Sequence, residues 1–332
     1  MERDPMELDQ IEAFVAIVRR GSFTGAGAAL ALSQPAVSRR IDLLEHELAA
    51  PVFERTRGGV RLTEAGRAFL PYAETLLASM HDGIAAVRAL ERPDHGAMTL
   101  AIVGTLASTT LTARLRSFRA AYPRVELRLR TALSREVSEL VRRGDATLGL
   151  RYDVDPDPEL VCRTVHREKM VPVCAAMHPL ARRRALDVSA FRREAWVAFP
   201  ARRGAGGEPY TLTIEGRLAA AGLGGAEIIP IDSLTAQKRM VEAGFGLGLF
   251  PVSSVDEELR AGTLRTLPVR ALQATIDVVL IHRRRAYLSG AAQSLMTALS
   301  QWDVSDPRRA TRRRRTRARS RAGPGRRAPG RA

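Results

Sequence analysis

Apolar residues recur at helical spacing from the start of the chain. Leu8, Ile11, Phe14, Val15 and Val18 share one face and predict a helix over residues 7–19. Gly21 ends it, and Ser22 is placed to cap a short helix over 23–30. After a tight connection at Ala31 and Leu32, Ser33 caps a third helix. Pro35 lies in its first turn, where a missing N–H costs nothing. Val37, Ile41, Leu44 and Leu48 form its inner face, and Gln34, Ser38, Arg39 and Asp42 its outer one. Residues 52–55 and 60–62 flank a bend at Gly58-Gly59 and predict a hairpin. Phe69, Ala73, Leu76, Met80, Ile84 and Val87 then follow every three or four positions, predicting one long helix over 64–90 capped by Thr63. Residues 92–96 read as a hinge.

From residue 97 the pattern alternates between strand and helix. Strands are expected at 98–103, 125–130, 148–152, 170–176, 196–199, 228–231, 247–250 and 276–281. Helices are expected up to Tyr122 and at 136–143, 210–221, 234–243 and 290–302. Such alternation predicts an α/β fold with mostly parallel sheets.

The first three helices have the form of a helix-turn-helix, and the outer face of the third has chemistry suited to DNA. Gln34 can bond a base edge in bidentate fashion. Ser33 and Ser38 are small donors that permit close approach to phosphates, and Arg39 reaches a phosphate or a guanine. An ordinary three-helix cluster with a solvated face shows the same spacing. The hairpin narrows the choice, because Arg55, Arg57 and Arg61 gather on it as on a DNA-touching wing. Gly25 and Gly27 are unusual inside a helix, each costing roughly 1 kcal/mol against alanine.

Net charge adds little to this picture. The chain has 332 residues, with 52 Lys+Arg, 36 Asp+Glu and a net charge of +16. Twelve arginines and no acid fall in residues 308–332, whereas residues 1–92 are net −2. Most of the surplus is therefore a tail, and residues 306–332, poor in aliphatic side chains, are expected to be disordered. The tail supplies salt-sensitive DNA affinity or is a tolerated low-complexity extension; both readings stand. No apolar run is long enough for a membrane span, and the acidic N-terminus does not resemble a signal peptide. Cys162 and Cys174, the only cysteines, have no histidine cluster beside them, so no metal site and no cofactor are expected. These features point to the reducing cytoplasm.

Over residues 8–66 the chain resembles the winged helix-turn-helix of LysR-type transcriptional regulators. The matching pieces are GSFT (21–24), SQPAVSRRI (33–41), LLEHEL (43–48), PVFERTRGGVRLT (51–63) and EAG (64–66), in the family's order and spacing. The resemblance implies that Ser33, Gln34, Pro35, Ser38 and Arg39 begin a recognition helix and that Arg55, Arg57 and Arg61 belong to the wing. GAMTLAI (96–102), FRAAYPRVELRL (118–129), HPLAR (178–182) and MVEAGFGLGLFP (240–251) resemble, more loosely, the family's periplasmic-binding-protein-like effector domain of two α/β subdomains. The implied organisation is a DNA-binding domain over 6–63 and a linker and dimerisation helix over 64–92. An effector domain over 93–305 follows, with subdomain I at about 93–163 and 268–305 and subdomain II at about 164–267.

In open α/β sheets, ligands sit beyond the strand C-termini. Those positions hold Thr105, Thr131, Ser134, Arg202, Ser233 and Thr235. Each Ser or Thr alone reads equally as a helix cap, and their convergence is what suggests an effector cleft. Arg202-Arg203 beside Gly204, Gly206 and Gly207 suggests an anionic effector, or a solvated basic loop. The resemblance further implies double-stranded DNA, a second copy paired through 64–90 and RNA polymerase as partners, and no membrane. No nucleotide-binding, nucleophile-elbow or metalloprotease motif is present, so no catalysis is expected. The competing reading is a solute-binding or catalytic α/β protein whose N-terminal helices only dimerise; the basic wing and SQPAVSRR argue against it.

Overall fold

A computed structural model describes residues 6–56, 59–91, 95–200 and 214–300. The expected tail and the positions of Arg57 and Arg202 lie outside these residues.

The N-terminal unit comprises α1 (Leu8–Arg20), α2 (Phe23–Leu30), α3 (Gln34–Leu48) and a hairpin of β1 (Phe53–Thr56) with β2 (Gly59–Leu62). Ile11, Phe14, Ile17, Val37, Ile41, Leu44 and Val52 form its core. Phe14 is its hub, with ring centroids 5.2 Å from Phe53 of the hairpin and 5.3 Å from Phe69 of the next helix. That helix, α4 (Glu64–Glu91), is held at its start by Thr63, whose hydroxyl accepts from the Gly66 amide at 3.0 Å.

The rest of the chain is one mixed sheet with helices packed on it. Its strands are β3 (Gly96–Val103), β4 (Val125–Ala132), β5 (Leu148–Tyr152), β6 (Leu160–Ala175), β7 (Trp196–Ala198), β8 (Ile228–Pro230), β9 (Leu247–Pro251), β10 (Leu264–Thr266) and β11 (Ala274–Arg283). The helices are α5 (Thr109–Ala121), α6 (Ser134–Arg142), α7 (Ile214–Ala220), α8 (Leu234–Glu242), α9 (Asp256–Ala261) and α10 (Gly290–Ser300). Strand order is β4-β3-β5-β11-β6-β9-β7-β8, with β10 also on β6.

The sheet is not mostly parallel, as the alternation predicts. β4-β3-β5 and β8-β7-β9 are parallel groups, but β11 and β6 join them through antiparallel pairs. The cause is the path of the chain: β6 carries it from one lobe to the other and β11 brings it back. Separate cores result, one in the first lobe around Leu100, Leu148 and Leu280 and two in the other, around Phe191, Trp196 and Leu247 and around Val173, Val241 and Phe250. The β6–β11 register shifts between Val278 and Val279, so Val165 is an extra residue opposite them. Such a bulge bends the crossing strands where the lobes meet.

Candidate nucleic-acid interface and effector cleft

The turn between α2 and α3 is built by small residues. The Leu32 amide donates to the Gly27 carbonyl at 2.9 Å, and Ala31 adopts a left-handed φ of 55°. A Cβ on Gly27 would sit 2.7 Å from the Leu32 carbonyl oxygen, so the glycine that weakens the helix is what lets the turn close. The Ser33 hydroxyl then accepts from the Ala36 amide at 3.4 Å and starts α3 beside Pro35.

With Val37, Ile41 and Leu44 buried, α3 leaves Ser33, Gln34, Pro35 and Arg39 exposed and Ser38 half-buried. The two adjacent arginines divide. Arg40 pairs with Asp9 of α1 at 2.9 Å, while Arg39 has no partner among the described residues. In the hairpin, Arg55 stands opposite Val60 and exposed Arg61 opposite Glu54.

The hairpin is fastened to both flanking helices around one residue, Val52. Glu45 Oε1 accepts from the amides of Val52 (2.7 Å) and Phe53 (3.2 Å). The Val52 carbonyl accepts from the Thr63 amide at 3.1 Å. A Cβ on Gly66 would fall 2.2 Å from that same oxygen, so α4 lies directly against it.

In the second unit the parallel register brings the C-termini of β3, β4 and β5 to one edge. Thr105 and Ser134 are buried there, and Thr131 is exposed. Both buried residues bond to Tyr152, the last residue of β5: Thr105 Oγ1 lies 2.8 Å from its hydroxyl, and Ser134 Oγ accepts its amide at 3.3 Å. Burial pushes the Tyr152 phenol well above its usual range against the pull of the Thr105 bond, and the charge of Glu168 adds to the rise. Glu168, buried on β6, accepts from the Ser253 amide (3.3 Å) and hydroxyl (2.9 Å). His166 Nε2 lies 3.9 Å from Glu168. The turn at Gly104–Leu106 thus approaches the turn at Val252–Ser254 from the opposite lobe.

Ser233 and Thr235 are exposed at the start of α8, and Ser233 caps that helix by accepting from the Ala236 amide at 3.4 Å. No hydrogen bond among the described residues joins them to Thr105, Thr131 or Ser134. Sequence reasoning missed Tyr152, Glu168 and Ser253. The strand-end position of Tyr152 was the available signal. It also missed Arg217 on α7, whose Nε is buried with no hydrogen-bond partner among the described residues. Burial lowers the Arg217 pKa, offset by Asp153, and burial raises that of Asp153, offset by Arg217. Opposite charges therefore face each other between the lobes.

A winged helix-turn-helix joined by a long helix to a bilobed α/β unit with a polar cleft defines a one-chain, ligand-responsive DNA-binding regulator. Residues 8–67 match the bacterial regulatory helix-turn-helix protein, lysR family, and residues 91–303 match the LysR substrate binding domain. The chain belongs to the LysR family of DNA-binding transcriptional regulators. It is 26% identical over 291 residues to a probable RuBisCO transcriptional regulator of Emiliania huxleyi, covering 85% of this chain and 91% of that one. A full-length OxyR variant from Pseudomonas aeruginosa shares the fold with TM-score 0.64 at 18% identity, covering 90% and 94% of the two chains. Full-length CbnR in complex with its target DNA gives TM-score 0.57 at 22% identity, covering 89% and 99%.

Proposed function

We propose that this regulator binds a dyad-like operator as an oligomer and changes its DNA contacts when a small molecule occupies the cleft. One observation carries the DNA contact: α3 leaves Ser33, Gln34, Pro35 and Arg39 exposed with Ser38 beside them, and Arg39 has no partner among the described residues while Arg40 is held by Asp9. Arg55, Arg57 and Arg61 supply backbone contacts from the wing. CbnR, similar in fold, has been solved on its target DNA, which supports the same mode here. Gel shifts with the promoter beside the gene test it. Arg39→Ala and Gln34→Ala each weaken specific binding; unchanged binding by both rejects the recognition-helix assignment.

The oligomer forms through the linker helix over 64–90. Tyr72, Leu76, Ile84, Val87 and Leu90 are exposed along α4, an apolar surface that a second copy would cover. The unit boundaries are taken at 63, 92 and 305. The effector contacts are Thr105, Thr131 and Ser134 on one lobe and Arg202, Ser233 and Thr235 on the other. Arg202 with the half-buried Arg217 favours an anionic effector such as a carboxylate. An effector that binds the two cleft arrangements unequally shifts their populations, and with them the oligomer on DNA. The site serves as a switch and not for catalysis, and the protein works in the cytoplasm with RNA polymerase as a further partner. Thermal-shift screening of small carboxylates tests the cleft. An equal response from Thr105→Val/Ser134→Ala removes those two contacts.

A further inference from the structure

We propose that Glu45 is a positioning residue for DNA binding: it fixes the wing against the recognition helix, and so sets whether Arg61 meets the DNA backbone when α3 is in the groove. The proposal rests on reading Arg61 as a phosphate contact.

Glu45 lies near the C-terminal end of α3, about two turns beyond Arg39, and is itself half-buried. The chain between α3 and β1 turns sharply, with the Ala50 amide returning to the Glu45 carbonyl at 3.2 Å. Ala49 turns in the left-handed region at φ 51°, and Pro51 has no amide to donate. Glu45 closes this gap by taking the first two amides after the proline, Val52 and Phe53, on a single carboxylate oxygen. A carboxylate that accepts two amides forms stronger, shorter bonds than a neutral acceptor. The Val52 carbonyl receives the Thr63 amide, with Gly66 of α4 pressed against it. The Thr63 hydroxyl donates to the Pro51 carbonyl at 2.6 Å. The two peptides on either side of Val52 are therefore where recognition helix, wing and linker helix meet, and Glu45 is the only α3 side chain with a hydrogen bond to them among the described residues. Removing that acceptor leaves the hairpin paired within itself and tied to Thr63 and Phe14, but without its hydrogen bonds to α3, so its angle to that helix is less well fixed.

The test uses the full-length protein and its promoter fragment, with affinity followed by fluorescence anisotropy as salt is raised. Each lost phosphate contact lowers the slope of log affinity against log salt by about one. Arg61→Ala shows this drop in the wild-type background. Glu45→Ala weakens binding about tenfold, the scale of one hydrogen bond to a charged group, and lowers the slope. In the Glu45→Ala background, Arg61→Ala produces no further drop. Glu45→Gln, which keeps an acceptor oxygen, restores most of the affinity and the slope; a purely charge-based role would not give that rescue. Should Glu45→Ala fail to fold, Glu45→Asp takes its place, because the shorter side chain cannot span to both amides. Wild-type affinity of Glu45→Ala overturns the proposal, as does an Arg61 contribution that persists undiminished without Glu45, or a Glu45→Gln variant as weak as Glu45→Ala. An Arg61→Ala variant with an unchanged slope in the wild-type background instead rejects the wing contact, and the proposal falls with it.

Discussion

Arg143 places its Nε 2.7 Å from a carboxylate oxygen of Glu74, which joins the second unit to the linker helix; neither atom makes an aligned hydrogen bond. Glu74 is buried, and burial raises its pKa more than Arg143, Arg142 and Arg19 lower it. Two further ion pairs flank this one. Arg19 of α1 lies 3.1 Å from Asp145, and Asp82 of α4 accepts both Arg283 Nη2 (2.9 Å) and the Tyr287 amide (3.2 Å).

The sign of the Glu74 effect follows from linkage. A carboxylate with a folded-state pKa above its unfolded value favours the folded state fully below the unfolded pKa and loses that contribution as pH rises through the folded one. Stability from Glu74 therefore increases as pH falls from neutral toward 4.5. Urea unfolding at several pH values reads this as a contribution to the slope that Glu74→Gln removes. At pH 7 the substitution changes stability by less than about 1 kcal/mol, because half-exposed Arg143 keeps its water. A large loss at pH 7 would show the pair to be a net support.

Glycine at position 27 and alanine at position 31 are expected to respond in opposite directions. Gly27→Ala drives a methyl into the Leu32 carbonyl and costs about 1–3 kcal/mol despite alanine's better helix propensity. Ala31→Gly relieves a left-handed alanine and is stabilising by about 0.5–1 kcal/mol. Thermal unfolding of the two variants checks the ordering.

Phe14→Ala removes a fully buried ring that touches both the hairpin and α4. The cost is about 3–5 kcal/mol. The loss should appear in the N-terminal unit, so DNA binding disappears while the thermal transition of the α/β unit remains. A single transition lowered as a whole would mean the two units unfold together.

Thr105 and Tyr152 are expected to couple. Thr105→Val strands the Tyr152 hydroxyl, and Tyr152→Phe strands that of Thr105, each costing about 1–3 kcal/mol as a buried group without its partner. The double variant costs less than the sum. Strict additivity in chemical denaturation would mean the two hydroxyls do not support each other.

The first ninety residues were legible because each boundary there is local. Ser22, Ser33 and Thr63 cap helices where their positions suggest, and 23–30 matches α2 end to end. The crossing strand was not. A strand was expected only from residue 170, whereas β6 begins at Leu160. Residues 160–169, LVCRTVHREK, pass between lobes rather than along a core, so they lack an apolar run, and their partner β11 lies more than a hundred residues away. α9 and β10 went unread for a related reason: DEELRA is almost wholly charged, and LRT is too short for any period. The candidate site divides the same way. Exposure of Gln34 and Arg39 follows from periodicity within one helix, but the capture of Arg40 by Asp9 and of Tyr152 by Thr105 depends on tertiary proximity.

α6 spans about 13 Å at 1.5 Å per residue. Val137 and Val141 seat it on the sheet over Gly149, where no side chain would fit beneath them. Ser134 begins it at the Tyr152 amide, and Arg143 and Asp145 follow its last turn onto Glu74 and Arg19. The helix is therefore a strut with one foot in the cleft and the other on the linker helix and α1. Two contacts that tie the second unit to the N-terminal helices, Arg143–Glu74 at 2.7 Å and Asp145–Arg19 at 3.1 Å, thus hang from the same short helix whose first residue holds the end of β5.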